Sequence, residues 1–275
     1  MKFHKESARR LFMFYVKFAT IDFVKISAVI IAFNEEDKIA AAVRSVSWAD
    51  EVLLIDSEST DRTREIAKDF GARVLVQKWL GFSKQKQFAA DNAKYDWIFS
   101  LDADETVSAE LRHEIDDLRT ASEVADGYKI PRLSIYMNRP IRHGGWYPDW
   151  QLRFFNRTKG KWKDVLIHES VEMLEPARIG KMKGDILHYS VENALHHHKM
   201  IGERYAPLAA EQMFAKGRRT SPLKIAFSAW GAFLQTYFLK AGFLDGFPGF
   251  CIAYFAAHHA FLKHLLLYEI QKKKS

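Results

Sequence analysis

The stretch that decides the fold is Ile-Ser-Ala-Val-Ile-Ile-Ala-Phe-Asn-Glu-Glu, residues 26–36. Its first seven residues are an apolar run of strand length, which predicts a strand buried on both faces. Asn34 offers a helix N-cap, and the three acids that follow place negative charge in the first turn of a helix. A buried strand followed directly by a helix is typical of parallel α/β sheets.

The same alternation continues to residue 102. Apolar runs predict further strands over 51–55, 73–76 and 97–101. Helical spacing predicts a helix capped by Ser59 or Thr60 and ended by Gly71, and another over 83–93. The fold class is therefore α/β, with a mostly parallel sheet between helices.

Polar clusters follow three of these strands. Ligands of open α/β sheets bind at the carboxyl ends of the strands, so we expect these clusters to share one site. They are Asn34-Glu35, Asp56-Ser57 and Asp102-Ala103-Asp104.

Two common ways of binding a nucleotide are excluded. Neither a Gly-rich dinucleotide turn nor a P-loop follows the first strand, where the chain has Ala-Phe-Asn-Glu-Glu. Asp102 and Asp104 supply instead the hard oxygen ligands that Mg²⁺ or Mn²⁺ shares with phosphates. Lys84 and Lys86 lie near the start of a helix, within reach of a diphosphate. Surface acids and a solvated helix face are the plainer alternatives.

The two ends of the chain are basic. The net charge is +7, residues 1–25 hold six of the lysines and arginines, and three lysines lie at 272–274. Two apolar segments, 223–239 and 247–267, precede the C-terminal lysines. This combination favours an anionic membrane surface over nucleic acid, as an interfacial helical hairpin rather than a span; a soluble helical pair is the alternative. We predict a basic extension over 1–25, an α/β domain over 26–190 and a helical, membrane-associating region over 191–275.

Three motifs carry a resemblance to a known family. They are residues 26–36, then Ile-Asp-Ser-Glu-Ser-Thr-Asp-Arg-Thr at 55–63, then Leu-Asp-Ala-Asp-Glu at 101–105. Together they resemble the inverting family 2 glycosyltransferases of GT-A fold. Within that family, the segments at 81–87, 145–153 and 242–249 resemble lipopolysaccharide core enzymes that glucosylate an inner-core heptose.

The resemblance implies a UDP-sugar donor, a divalent cation and a set of site residues. Asp102 and Asp104 would bind the cation, and Asp149 would be the general base, with Glu169 as the alternative. His168 and His188 complete the metal shell or bind phosphate, unless they are ordinary loop or core histidines. The implied nucleotide-binding residues are Ala32, Asn34, Glu35, Asp56, Ser57, Lys84, Lys86, Asp102 and Ala103.

The acceptor and the location of the protein are further expectations. A group of basic residues favours a phosphorylated acceptor such as the lipopolysaccharide inner core, on the cytoplasmic face of the membrane. Two rival functions stay open: a nucleotidyltransferase that makes an activated sugar, and a non-catalytic membrane scaffold. The basic group comprises Arg132, Arg139, Arg142, His143 and Arg153.

Overall fold

The structure is a computed structural model that describes residues 24–121, 123–164, 169–191 and 193–273. Most of the predicted basic extension, residues 1–23, lies outside the described residues, as does His168.

Twelve strands form among the described residues, ten of them in one sheet. Its order is β3-β2-β1-β4-β8-β6-β12-β5, with β7 and β11 beside β6, and β9 pairs with β10 in a small ribbon. The strands are β1 (Ile26–Ala32), β2 (Glu51–Asp56), β3 (Arg73–Val76), β4 (Trp97–Asp102), β5 (Glu105–Val107), β6 (Gly127–Tyr136), β7 (Arg139–Pro140), β8 (Asp149–Asn156), β9 (Gly160–Trp162), β10 (Val171–Met173), β11 (Ile179–Lys181) and β12 (Ile186–His188).

The helices cover both faces of the sheet and then form a separate C-terminal group. One face packs against α1, α2 and α4, and the other against α3. The helices are α1 (Ile39–Ser45), α2 (Thr63–Asp69), α3 (Phe82–Asn92), α4 (Ala109–Thr120), α5 (Ala194–Lys199), α6 (Ala206–Ala215), α7 (Pro222–Leu234) and α8 (Gly246–Lys273), with π-helical turns at Met200–Tyr205 and Gln235–Leu239 and a 3₁₀ turn at Gly242–Asp245.

The first four strands are parallel, with β1 buried along its length and β3 at the exposed edge, which confirms the predicted fold class. Alternate residues of β1 face two different cores: Ile30 packs with α1 and α4, whereas Ile31 packs with α3. A strand with period-two side chains needs apolar residues at every position when both faces are covered. The predicted helix caps were wrong, because α1 begins at Ile39 after a turn and α2 begins at Thr63.

The second half of the sheet curls back towards the end of β4. Only Ala103 and Asp104 separate β4 from β5, yet β5 lies four strands away in the sheet order. In a flat sheet four strand spacings are about 19 Å, whereas three residue steps span at most about 11 Å. The sheet must therefore curve, and the curve brings β12 and β8 close to the segment 102–105.

The C-terminal helices pack against the open end of this curled sheet. A small core joins Tyr136 and Ile141 of the α/β domain to Ile252 of α8. A further contact joins His143 to Asp245, where the Asp245 Oδ1 lies 2.8 Å from the His143 Nδ1. Gly144 N–H also donates to the Lys240 carbonyl at 2.9 Å. The helical region thus forms part of the same structure as the domain that carries the predicted site.

Candidate active site

The loops after β1 and β2 are tied to each other. Asn34 has a left-handed backbone (φ 54°), and its side-chain Oδ1 accepts a hydrogen bond from Thr60 N–H at 2.8 Å. Asn34 N–H in turn donates to Ser59 Oγ at 2.9 Å. Glu35 N–H donates to Thr63 Oγ1 at 2.8 Å. Asn34 therefore shapes the loop rather than capping α1.

Asp56 ends β2 with a carboxylate that has one unused oxygen. Its side chain is fully buried, and Oδ2 accepts from Ser59 N–H at 2.9 Å. Oδ1 is buried with no hydrogen-bond donor among the described residues. Buried carboxylate oxygens are costly to leave unpaired, so this atom is suited to accept a hydrogen bond from a ligand.

Asp102 ends β4 between two buried cations. Lys86 Nζ lies 2.9 Å from Oδ1, and Arg153 donates from Nη2 to Oδ2 at 3.0 Å. Burial by itself would raise the pKa of Asp102, but the attraction of Arg153 and Lys86 outweighs burial and holds the pKa far below its usual range. Asp102 is therefore ionised at neutral pH, and its charge is already neutralised by protein cations.

Glu105 completes this ion network, and sequence reasoning gave it no role. Its side chain is fully buried, Oε2 accepts from Asp102 N–H at 2.9 Å, and Oε1 lies 3.4 Å from both Arg132 and Arg153. An available signal was its place in the Leu-Asp-Ala-Asp-Glu motif. Arg153 has Nε and Nη1 buried without a hydrogen-bond partner among the described residues. These donors can bind a further acceptor group.

Asp104 differs from Asp102 because no lysine or arginine of the described chain pairs with it. Its Oδ2 lies 3.4 Å from Nε2 of His188, the last residue of β12, and both side chains line the cavity. No group of three or more His, Cys, Asp or Glu suited to hold a metal occurs within the described residues. The donor set nevertheless fits a hard cation whose remaining ligands are phosphate oxygens and water. Asp104 and His188 would hold it, with Asp102 beside them.

The two candidate base carboxylates have different surroundings. Asp149 begins β8, where Arg132 donates to Oδ2 from Nε at 2.9 Å and Gln151 donates to Oδ1 at 2.7 Å. It is not among the described residues that line the cavity. Glu169 does line the cavity, and Lys86 Nζ lies 3.3 Å from its Oε1. Burial opposes ionisation of Glu169, but Lys86 lowers its pKa overall.

The two lysines of α3 point to different places. Lys86 is buried against Asp102 and Glu169, whereas Lys84 is exposed and pairs with Asp164 at 3.5 Å. The structure therefore does not bring Lys84 to the site. Ser57 does belong to it, lines the cavity and accepts a hydrogen bond from Gln85 at 3.1 Å.

The expected basic patch for an acceptor does not form. Arg132 and Arg153 belong to the buried ion network, Arg142 pairs with Asp185 at 3.6 Å, and His143 pairs with Asp245. Tertiary packing, which the sequence alone does not reveal, supplied a carboxylate for each of these side chains.

A cavity of about 1420 Å³ unites the site. One wall is the α/β domain, with Ala32, Ser57, Asp102, Ala103, Asp104 and Glu169. The other wall is helical and comes from α5, the π-helical turn at Met200–Tyr205, α6 and α8, with residues such as Ile201, Arg204, Leu208, Phe255 and His259. The helical region therefore closes the site as well as extending the fold.

Comparison with known proteins identifies the class. The family model described as Glycosyl transferase family 2 matches residues 27–172. The chain belongs to this family, and it is a glycosyltransferase. This confirms the resemblance of the three motifs and sets aside the nucleotidyltransferase and the non-catalytic scaffold.

Two relatives match over most of their length. An uncharacterized glycosyltransferase of Rickettsia typhi is 33% identical over 267 residues, which cover 90% of this chain and 88% of the relative. The lipopolysaccharide core biosynthesis glycosyltransferase LpsC of Rhizobium meliloti is 28% identical over 89% of this chain and 92% of its own. Among solved structures, S. aureus TarS residues 1–349 in complex with UDP is similar at 15% identity with a TM-score of 0.44, covering 91% of this chain and 92% of that one.

Proposed function

We propose that this protein transfers a hexose, with glucose as the leading candidate, from a UDP-sugar to a lipopolysaccharide inner-core acceptor with inversion at the sugar carbon. The observation that carries the proposal is the cavity at the carboxyl ends of β1, β2 and β4, which Ala32, Ser57, Asp102 and Asp104 line. The acceptor class is supported by the name of the relative LpsC, which spans nearly the same length.

The donor would lie across the carboxyl ends of β1, β2 and β4. The unpaired Oδ1 of Asp56 is suited to accept a hydrogen bond from the base or ribose. Ala32, Glu35, Ser57 and Ala103 line the cavity; Asp56, next to Ser57 in the chain, is not among the described residues that line it. Asn34 acts through the loop that it holds together.

A divalent cation, Mg²⁺ or Mn²⁺, would be held by Asp104 and His188. When bound, it supplies positive charge that stabilises the departing diphosphate. The role of Asp102 follows from its ion pairs: it keeps Lys86 and Arg153 in place at the edge of the cavity. Asp104 is accordingly the carboxylate that remains available for a cation.

An inverting transfer also needs a base that takes the proton of the acceptor hydroxyl as the sugar carbon is attacked. Asp149 is the base expected from the family resemblance, but Arg132 and Gln151 occupy its oxygens. The geometry favours Glu169, because its carboxylate faces the cavity and Lys86 keeps it ionised. We therefore place Glu169 first and Asp149 second for this role.

Membrane association would bring the enzyme to a lipid-linked acceptor. The helix α8, with the turn before it, is long and apolar enough to cross a membrane by length and composition, which is weak evidence by itself. A broader feature supports a surface contact: α7, α8 and their connection expose large apolar side chains beside Lys224, Lys240, Lys272 and Lys273. The most exposed are Leu223, Phe227, Trp230, Leu239 and Phe247. This face would place the protein on the cytoplasmic side of the inner membrane.

The direct test is transfer by the purified protein. We expect UDP release and a glycosylated product from UDP-glucose and an inner-core acceptor, loss of both in excess chelator, and recovery with Mn²⁺ or Mg²⁺. A thermal-shift screen of nucleotide sugars identifies the donor if UDP-glucose is not used. Full activity in chelator would contradict the metal assignment without affecting the family.

A further inference from the structure

Four lysine and arginine side chains of the described residues line the cavity, and three of them have a carboxylate partner. The fourth is Arg204. The partners of the other three are Glu35 for Lys38 at 3.3 Å, Asp149 for Arg132 at 2.7 Å and Asp102 for Arg153 at 3.0 Å. Within the described chain no carboxylate pairs with Arg204, whose contacts are with aromatic rings.

The surroundings of Arg204 leave its hydrogen-bond donors free. Its guanidinium carbon lies 5.9 Å from the ring centre of Phe82 and 5.7 Å from that of Tyr205. Aromatic contacts of this kind orient the planar group without using its N–H donors, which lie at its edge. Trp79 stacks edge-on against Phe82 at 4.8 Å, and all of these residues line the cavity.

The backbone under Arg204 is also unusual. Met200–Tyr205 is a π-helical turn between α5 and α6, and Pro207 follows it closely. Proline cannot donate to the fourth preceding carbonyl and its ring clashes with that carbonyl, which explains the irregular turn. Single π turns occur frequently at functional sites, and this one directs Met200, Ile201, Arg204 and Tyr205 to the cavity.

We infer that Arg204 binds a phosphate group inside the cavity. Guanidinium groups bind phosphate through two parallel hydrogen bonds, and an arginine that faces the cavity without a carboxylate partner among the described residues is suited to an anionic ligand. The phosphate has two sources: the diphosphate of the donor or a phosphate on the acceptor. The inference rests on the proposed function only in the choice of these two sources.

The inference deepens the role of the helical region. Asp104 and the expected cation lie on the α/β wall, whereas Arg204 lies on the helical wall. A phosphate held between them would be contacted from both sides. The helical region would then contribute to ligand binding as well as to membrane contact.

The experiment compares ligand binding by the full-length wild type, Arg204→Ala, Arg204→Lys and a matched control. The control is Arg219→Ala, because Arg219 lies in the same helical region and its guanidinium carbon is 5.8 Å from the Phe214 ring, but it does not line the cavity. The probes in the first arm are UDP, uridine and inorganic pyrophosphate, each measured by calorimetry in Mn²⁺ buffer. The second arm uses a sugar phosphate and the same sugar without phosphate, at saturating UDP.

We expect Arg204→Ala to weaken binding of at least one phosphate-bearing probe by about tenfold or more, with the phosphate-free partner unchanged. Arg204→Lys should restore part of the affinity, and Arg219→Ala should match the wild type. Loss in the first arm assigns the donor diphosphate, and loss in the second assigns the acceptor phosphate. Unchanged affinity for every phosphate-bearing probe overturns the inference. Failure of the proposed function has a different signature, since wild-type protein would then bind pyrophosphate without preferring UDP over it.

Discussion

At the residue scale, Lys86 holds the centre of the site together. It is fully buried and lies within 3.3 Å of carboxylate oxygens of both Asp102 and Glu169. We expect Lys86→Met to lower the free energy of unfolding by about 3–5 kcal/mol, because it leaves buried carboxylates without their cation. The measurement is urea unfolding followed by circular dichroism. Lys84→Met is the matched control, since Lys84 is exposed two residues away on the same helix, and its effect should stay within about 0.5 kcal/mol.

The base assignment is also a residue-scale prediction. Glu169→Gln should reduce kcat by about a hundredfold or more, with little change in the affinity for UDP, whereas Asp149→Asn should retain more activity. Because the pKa of Glu169 is lowered, its ionised form is lost only as the pH falls below the usual range of glutamate. The kcat of the wild-type enzyme should therefore stay near its neutral-pH value at mildly acidic pH. If Asp149→Asn lowers kcat more than Glu169→Gln does, the general base is Asp149.

At the element scale, the contact of α5 with α8 contains a histidine kept neutral by its surroundings. His197 packs 4.0 Å from the Phe255 ring, and burial, with smaller contributions from His196 and His258, lowers its pKa to about 4. The unfolded chain takes up a proton near pH 6.5, while the folded chain does so only near pH 4. The free energy of unfolding should therefore fall as the pH decreases from 6.5 to 4.

His197→Phe tests this link between protonation and packing. The phenyl ring suits the aromatic surroundings and does not titrate, so the loss of stability between pH 6.5 and 4 should be smaller in the variant. Urea unfolding at several pH values measures it. His113→Asn, at an exposed position of α4, is the control and should keep the wild-type slope. An unchanged slope in His197→Phe would show that other groups cause the pH dependence.

Elements were predictable where a local pattern decided them. The strands β1, β2 and β4 follow from apolar runs, since a strand covered on both faces has no polar face to interrupt the run. Helix starts were less predictable, because Asn34 and Ser59 use their side chains to join two loops instead of capping helices. The π-helical turn at Met200–Tyr205 ends two residues before Pro207.

The site was predictable only in part, for a related reason. Asp56, Asp102 and Asp104 were identified because strand ends are visible in the sequence. The buried partners were not, since Glu105, Arg132 and Arg153 meet through the curl of the sheet between strands that are distant in sequence. The same curl explains why Arg132 and Arg153, expected in a basic patch, belong to a buried ion network.

At the scale of the whole molecule, the exposed apolar face predicts binding to anionic lipid. Trp230 and Leu239 are 68% and 83% exposed and lie on α7 and its π-helical continuation. We expect the protein to float with phosphatidylglycerol-containing vesicles. The double variant Trp230→Ser/Leu239→Ser should bind these vesicles at least about tenfold more weakly than the wild type. Leu174→Ser, at an exposed leucine of the α/β domain, is the control. If the double variant floats with the vesicles as well as Leu174→Ser does, this apolar face does not contact the lipid.

The protein we propose is a UDP-sugar transferase whose site lies where β1, β2 and β4 end. The most direct measurement is UDP release from UDP-glucose with an inner-core acceptor in Mn²⁺, compared among the wild type, Asp104→Asn and the exposed control Asp69→Asn. We predict rapid release by the wild type and the control and a loss of about a hundredfold or more in Asp104→Asn. Turnover by Asp104→Asn at the wild-type rate would contradict the account.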